Sequence, residues 1–109
     1  MEQQVQAFPD EDGIRVIVCT GEFDQDTIAP LKAACAAAVD DPRVRRIVLD
    51  ISALAFADSS MLNLMLRVRA SGRLVLAGPL PRQLARILDL TSARELFAMA
   101  DGIGAARAL

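Results

Sequence analysis

The sequence predicts an α/β fold with a mostly parallel central sheet of four to five strands and about four helices. Three apolar stretches rich in β-branched residues, at 14–20, 46–52 and 73–78, are typical of buried strands. Between and after them lie stretches whose apolar residues recur every three or four positions, as they do on one face of a helix. A chain in which strands and helices alternate usually folds into layers around a parallel sheet.

The first half of the chain predicts an edge strand, a turn, a buried strand and a helix. In order, these elements cover residues 3–8, 9–13, 14–20 and 27–40. Asp24 or Asp26, in the loop GEFDQDT, can cap the helix, because Asp side chains accept hydrogen bonds from first-turn N–H groups. Pro42 cannot continue the helix and marks its end.

The second half of the chain continues the same alternation. Its predicted elements are a strand at 46–52, a helix at 59–71, a strand at 73–78, a helix at 82–90, a short strand at 95–100 and a short helix at 104–109. Gly72 is the expected C-cap of the first of these helices. In the helix over 82–90, Leu84, Ile87 and Leu88 are expected to face the core.

Composition limits the chemistry that this chain can perform. Its 109 residues, 53% hydrophobic and 24% charged, predict a single domain over 1–109 whose core needs no disulfide or metal. The sequence has no His, which removes the usual general base, the Ser-His-Asp triad and most transition-metal sites. We therefore expect a protein that is not an enzyme and that uses no metal and no cofactor.

Charge and hydropathy limit its partners and its location. A net charge of −2 does not favour binding to nucleic acid or to an anionic membrane. The N-terminus MEQQVQAF is polar, and no apolar run approaches the roughly 18 residues of a membrane span, so we expect a cytoplasmic protein without a signal peptide. Cys19 and Cys35 are expected to be reduced thiols that pack as small apolar groups.

Two loops lie where a fold of this class carries its function. Sites in parallel sheets form at loops beyond the C-terminal ends of strands, and GEFDQDT and FADSS occupy that position. In the second loop, Asp58 is a good N-cap, and Ser59 and Ser60 are the first two residues of the helix. The serines are open to three interpretations: a nucleophile, an ordinary helix start or a modification site. No His and no G-x-S-x-G motif supports a nucleophile.

A helix start and a modification site are compatible at Ser59. A helix N-terminus offers free N–H groups and a partial positive charge, which favour a phosphate by about 0.3–1 kcal/mol at an exposed site. Phosphorylation of Ser59 adds about −1.5 to −2 charge without unfolding the helix that it begins. From these residues alone, an ordinary helix start is the commoner explanation, because Ser and Asp are the usual N-terminal residues of helices.

The helix after the serines is unusually apolar. One stripe at helical spacing comprises Met61, Leu64, Met65 and Val68, and beside it lies an apolar flank of Leu62 and Leu66. A narrow polar edge comprises Ser59, Asn63 and Arg67. The flank is either buried against a second layer of the fold or exposed for a partner.

At this point two stretches resemble the signatures of STAS domains of the anti-sigma factor antagonist class. GEFDQDTIAPL, at 21–31, resembles the first, in which Gly-Glu-Leu-Asp precedes a Thr and an apolar helix. IVLDISALAFADSSMLNLML, at 47–66, resembles the second, in which a strand ending in Asp-x-Ser leads to Phe-x-Asp-Ser-Ser and a helix. The order and length of the elements fit from about residue 5 to residue 109. The resemblance implies a STAS-like fold.

The resemblance also implies a function. Such proteins bind an anti-sigma factor that is also a serine kinase, and this binding releases a sigma factor. The kinase ends the interaction by phosphorylating the first Ser after the Asp, which is Ser59 here. The implied partner-binding residues are Asp24, Thr27, Asp58, Ser60, Met61, Leu62 and Asn63. The protein is expected to be a monomer or a weak dimer.

One departure from the family pattern leaves an alternative open. The family commonly has Gly directly after the two hydroxyl residues, where this chain has Met61. A bulky side chain in the first turn is expected to alter how closely a kinase backbone approaches. The alternative is a STAS interaction module that is not phosphorylated and belongs to a larger signalling or lipid-transport assembly.

Overall fold

The structure, a computed structural model, describes residues 3–109 of the chain. In this range the strands are β1 (Gln4–Ala7), β2 (Ile14–Phe23), β3 (Arg46–Ala57), β4 (Leu74–Ala77) and β5 (Met99–Ala100). The helices are α1 (Ala29–Asp40), α2 (Ser59–Arg69), α3 (Arg82–Leu90) and α4 (Ile103–Ala108), and a short 3₁₀ turn spans Arg94–Leu96. The first two residues of the predicted polar N-terminus lie outside the described range.

The strands form one sheet in which chain order is also spatial order. β1 runs antiparallel to β2, whereas β2, β3, β4 and β5 are mutually parallel. Parallel neighbours need a crossover connection. α1 connects β2 to β3, α2 connects β3 to β4, and α3 forms part of the connection from β4 to β5. The predicted α/β fold with a mostly parallel sheet is therefore confirmed. This topology also brings the C-terminal ends of β2 and β3 to the same edge of the sheet.

The two faces of the sheet are covered unequally. The larger apolar cluster lies under α1, α2 and α3 and includes Ile17, Leu49 and Leu76. A smaller cluster on the other face lies under α4. Cys19 and Cys35 are free, buried thiols of the larger cluster, as the sequence predicts. Burial raises the pKa of both thiols, that of Cys35 to about 11, so neither is a nucleophile at neutral pH.

β3 is longer than the sequence predicts. Residues 53–57 were expected in a loop, but they continue the strand. The register of β3 against β2 shifts twice between Asp50 and Phe56, and each shift places one extra residue in β3. Because of these two bulges, Ile51, Leu54 and Ala57 all face the core at a spacing of three residues. A strand with that spacing lacks the alternation by which strands are recognised in a sequence.

The boundaries around the first loop also differ from the prediction. β2 continues to Phe23, and α1 begins at Ala29 instead of two residues earlier. The N-cap position of α1 is Ile28, which makes no side-chain capping hydrogen bond. The expectation that Asp24 or Asp26 caps this helix is therefore wrong.

Towards the C-terminus, α3 has the predicted bounds, α4 is shifted by one residue, and the two strands are shorter than predicted. The predicted strand over 95–100 is reduced to the two residues of β5, after the 3₁₀ turn. α2 ends at Arg69 with Ala70 as its C-cap, so the expectation that Gly72 is the C-cap is wrong. Gly72 instead closes the following turn, with φ +77° and an N–H that donates to the Arg69 carbonyl at 2.9 Å. In α3, Leu84 and Leu88 are buried, as expected from their spacing, and Ile87 is partly buried against the same core.

Candidate functional site

The first loop is shaped by Asp24. Its Oδ1 accepts hydrogen bonds from the backbone N–H of Asp26 at 2.9 Å and of Thr27 at 3.0 Å. The Thr27 hydroxyl oxygen accepts from the Asp24 N–H at 3.0 Å and lies 3.0 Å from the same carboxylate oxygen. This is an Asx turn, a local arrangement that Asp favours outside helices. Asp24 and Thr27 therefore fix each other and give the loop a defined surface.

Asp58 joins the first loop to the start of α2. One carboxylate oxygen caps the helix by accepting from the Ser60 N–H at 2.9 Å, as the sequence predicts. The other oxygen accepts from the Gln25 N–H in the first loop at 3.1 Å. The two loops that the sequence identified separately are thus held side by side by one side chain. No local pattern in the sequence identifies Gln25 as its partner.

Ser59 is the exposed first residue of α2, and Ser60 beside it is half-buried. The N–H groups of Met61 and Leu62 already donate to the Asp58 carbonyl at 3.1 and 3.2 Å. Among residues 3–109, no acceptor pairs with the Ser59 N–H. A phosphate on Ser59 would therefore meet an unused donor and the positive end of the helix dipole.

The apolar flank of α2, which the sequence left open between core and partner, packs against the core, with Leu62 buried and Leu66 partly buried. The predicted stripe is buried throughout: Met61, Leu64, Met65 and Val68. Met61 is 0% exposed and Leu62 is 7% exposed. The expectation that these two side chains contact a partner does not fit their burial, because both lie in the core. Asn63 lies one turn after Ser59 and is exposed, so it remains a candidate partner-binding residue.

Gln83, in the first turn of α3, supports the site from the side and was missed in the sequence. Its Oε1 accepts from the Ala57 N–H at 2.9 Å, and its Nε2 donates to the Ala57 carbonyl at 2.7 Å. Ala57 is the fully buried last residue of β3, directly before Asp58. The amide of Gln83 therefore satisfies the backbone of a strand end on the side that β4 does not reach, since β4 pairs with β3 only as far as Asp50. A lone Gln in an amphipathic helix gives no signal of this role.

The site offers an exposed surface and the hydroxyl of Ser59. Lys32, on α1, is the sole lysine of the chain, and there is no His to activate Ser59. Between residues 3 and 109, no three His, Cys, Asp or Glu side chains cluster in a way that could hold a metal ion. No helix in the described part of the chain has the length and hydropathy to cross a membrane.

The amino-acid sequence of the chain matches the model of a known protein family. The family model described as "Mlab, STAS domain" matches residues 7–98, a range that contains both loops and Ser59. The chain belongs to the STAS domain family. No curated protein is significantly similar to it in sequence.

Solved structures share this fold at low sequence identity. An anti-sigma factor antagonist from Mycobacterium paratuberculosis has a TM-score of 0.83 and 23% identity, covering 98% of this chain and 92% of that one. The Bacillus cell fate determinant SpoIIAA in its phosphorylated form has a TM-score of 0.69 and 20% identity, covering 89% and 91%. A STAS domain protein from Planctomyces limnophilus has a TM-score of 0.76 and 15% identity, covering 92% and 91%. These similarities show the STAS fold of the chain.

Proposed function

We propose that this chain is an anti-sigma factor antagonist that binds an anti-sigma serine kinase in the cytoplasm and is switched off by phosphorylation of Ser59. The observation that carries the proposal is the exposed Ser59 at the start of α2, directly after the capping residue Asp58. The names of two proteins with the same fold support it, one as an anti-sigma factor antagonist and one as a protein known in a phosphorylated form.

A phosphate at Ser59 changes the surface and leaves the fold intact. It adds about −1.5 to −2 charge at a helix N-terminus, where negative charge is favourable. In a contact from which water is excluded, the same unpaired charge costs several kcal/mol. Since each 1.4 kcal/mol is a factor of ten in affinity, a phosphorylated protein would bind its partner at least a hundredfold more weakly.

The proposed contact surface is the part of both loops that surrounds Ser59 and is open to solvent. The bond between Asp58 and Gln25 places the first loop, with Asp24 and Thr27, next to the start of α2. Ser60 and Asn63 extend this surface along the helix. Met61 and Leu62 support this surface without being part of it, because their buried side chains fix the position of the first turn of α2.

The experiment begins with intact mass and site mapping of the protein recovered from its native cells, followed by isolation of the kinase. With ATP, that kinase should phosphorylate the native chain and the matched control Ser60→Ala, but not Ser59→Ala. In a binding titration, Ser59→Ala should keep the affinity of the unmodified chain, whereas Ser59→Asp should lose at least tenfold. Equal affinity of Ser59→Ala and Ser59→Asp would overturn the proposed switch.

A second function is favoured by two observations. The matching family model is described as "Mlab, STAS domain" and not as an anti-sigma factor antagonist, and Met61 stands where the resembling sequences carry Gly. Both suit a STAS module that holds a partner in a larger assembly without phosphorylation. For this module we expect no phosphorylated form in native cells under any growth condition. We also expect a stable complex with a non-kinase partner that Ser59→Asp leaves intact.

A further inference from the structure

A partly open, mainly apolar cavity of about 310 Å³ lies between α1 and α2. Its wall comprises Cys35, Ala36 and Val39 of α1 and Leu64 and Val68 of α2. This volume is at the lower end of the range for small-molecule sites, roughly 300–1,000 Å³. The cavity is separate from the hydrogen bonds that join the Ser59 loops, and the proposed switch does not use it.

The wall of this cavity is both apolar and fixed. Cys35, Leu64 and Val68 are 1%, 4% and 3% exposed, and all three belong to the main core cluster. Water against such a wall finds few polar partners there, so covering the wall with an alkyl chain is favourable. The chemistry of the wall therefore selects a flexible hydrocarbon over a polar ligand.

The rim of the cavity carries three charges. Lys32 lies in the first turn of α1, Asp40 is the last residue of the same helix, and Arg67 lies in the last turn of α2. Within residues 3–109, neither Lys32 nor Arg67 forms a salt bridge. Both helices cross between parallel strands and run in the same direction, so Arg67 and Asp40 lie towards one end and Lys32 towards the other. The net charge of the rim is +1, and its positive end is at Lys32.

We propose that this cavity binds an unbranched alkyl carboxylate. The hydrocarbon chain lies against Val39, Leu64 and Val68, and the carboxylate pairs with the Lys32 ammonium at the mouth. A carboxylate carries the single negative charge that a rim of +1 matches, whereas a phosphate dianion would be repelled by Asp40. This ligand site does not depend on the proposed switch at Ser59.

The test is a methyl NMR titration of the full chain with octanoate, kept below its micelle concentration, with 1-octanol as the uncharged probe of the same chain length. We expect saturable shifts at the methyl groups of Val39, Leu64 and Val68, and weaker binding of octanol. Lys32→Met, which keeps the side-chain stem, should weaken octanoate binding about two- to fivefold, as expected for an exposed ion pair. The matched control Arg86→Met, on α3, should not change it.

A second variant tests the cavity independently of its charge. Ala36 is exposed on the wall, so Ala36→Leu fills the cavity without entering the core and should abolish the shifts at an unchanged melting temperature. The proposal is overturned if octanoate causes no saturable shift at these methyl groups. It is equally overturned if octanol binds as tightly as octanoate and Lys32→Met has no effect. Kinase binding by Ser59 variants is measured separately, so the failure of one proposal is distinguishable from the failure of the other.

Discussion

At the scale of single residues, Asp58 makes two hydrogen bonds that substitution can separate. Asn keeps one carbonyl oxygen for the cap of α2, but its amide nitrogen cannot accept from the Gln25 N–H. Since Asn and Asp cap helices about equally well, Asp58→Asn should lose mainly the bond to the first loop. Asp58→Ala loses the cap as well, which costs about 0.5–2 kcal/mol.

The prediction is that Asp58→Asn lies between the native chain and Asp58→Ala in its free energy of unfolding, measured in urea. Hydrogen exchange at the Gln25 amide should be accelerated in both variants. If the Gln25 amide exchanges at its native rate in Asp58→Asn, the carboxylate is not what holds the two loops together.

Gln83 allows a second prediction at this scale. Gln83→Leu leaves the N–H and carbonyl of the buried Ala57 without their partner. An unsatisfied buried polar group costs about 1–3 kcal/mol, so the free energy of unfolding should fall by that order. Arg82→Leu, at the exposed neighbouring position, is the control and should change it by less than about 0.5 kcal/mol. Equal stability of the two variants would show that the amide of Gln83 contributes nothing to this strand end.

These residues also show what the sequence can predict about the site. Asp58 and Ser59 were recognisable, because an N-cap and the first helical residue form a local pattern. The residues that hold this region in place were not recognisable in the sequence. Gln25 is 33 residues from Asp58, and Gln83 is 26 residues from Ala57. Bonds over such separations depend on how the elements pack, and no spacing in a single sequence records them.

At the scale of elements, α2 is fixed to the sheet by its first buried residue. Met61→Gly, which restores the residue that resembling sequences carry, removes a fully buried side chain. We expect a loss of at least about 3 kcal/mol, because a Met-to-Ala truncation alone costs about 2–5 kcal/mol and Gly adds about 1 kcal/mol in a helix. Met61→Leu, the volume-conserving control, should cost less than about 1.5 kcal/mol.

Urea unfolding of these two variants measures the effect, and the helical content by circular dichroism reports whether α2 persists. A Met61→Gly variant as stable as the native chain would contradict the burial of this side chain. Met61 would then again be a candidate for direct contact with a partner.

β3 and α1 show why some elements could not be bounded from the sequence. The bulges of β3 place Ile51, Leu54 and Ala57 on one face at a spacing of three, and so the alternation ends before the strand does. α1 begins without a side-chain cap, because its N-cap position is occupied by Ile28, and the Asp24 carboxylate accepts from N–H groups of its own turn instead. By contrast, α3 was bounded correctly, since Pro81 precedes it and its apolar spacing is regular.

At the scale of the whole molecule, the end of the sheet opposite Ser59 is held by charges. Arg15, on β2, donates hydrogen bonds to Asp10 at 2.8 and 2.9 Å and to Asp41 at 2.9 Å. Arg43 also donates to Asp41, at 3.2 Å. This cluster joins the turn after β1, the start of β2 and the connection after α1. The start of β2 and the connection after α1, where Arg15 and Asp41 are 26 residues apart, are therefore joined by contacts that depend on the ionisation of two carboxylates.

Both carboxylates titrate at a lower pH in the folded protein than in the unfolded chain. Hydrogen bonds from Arg43 hold the pKa of Asp41 well below its ordinary value of 3.8, and a hydrogen bond from Arg15 lowers the pKa of Asp10. A depressed pKa in the folded state contributes stability above the unfolded pKa, and that contribution is lost as the pH falls through the folded pKa. The stability of this end of the sheet is therefore sensitive to acid below about pH 4.

This dependence should dominate the pH profile of the molecule, because a protein without His has no unperturbed side chain that titrates between about pH 5 and 8. We expect the free energy of unfolding in urea to be level over that range and to fall below about pH 4. Asp41→Asn should be less stable at neutral pH and should show a shallower fall in acid. Asp40→Asn, at the exposed neighbouring position outside the cluster, should keep the native slope. Asp41→Asn removes the carboxylate whose protonation is expected to cause the loss of stability in acid. If the free energy of unfolding falls as steeply in this variant as in the native chain, the acid sensitivity arises elsewhere in the molecule.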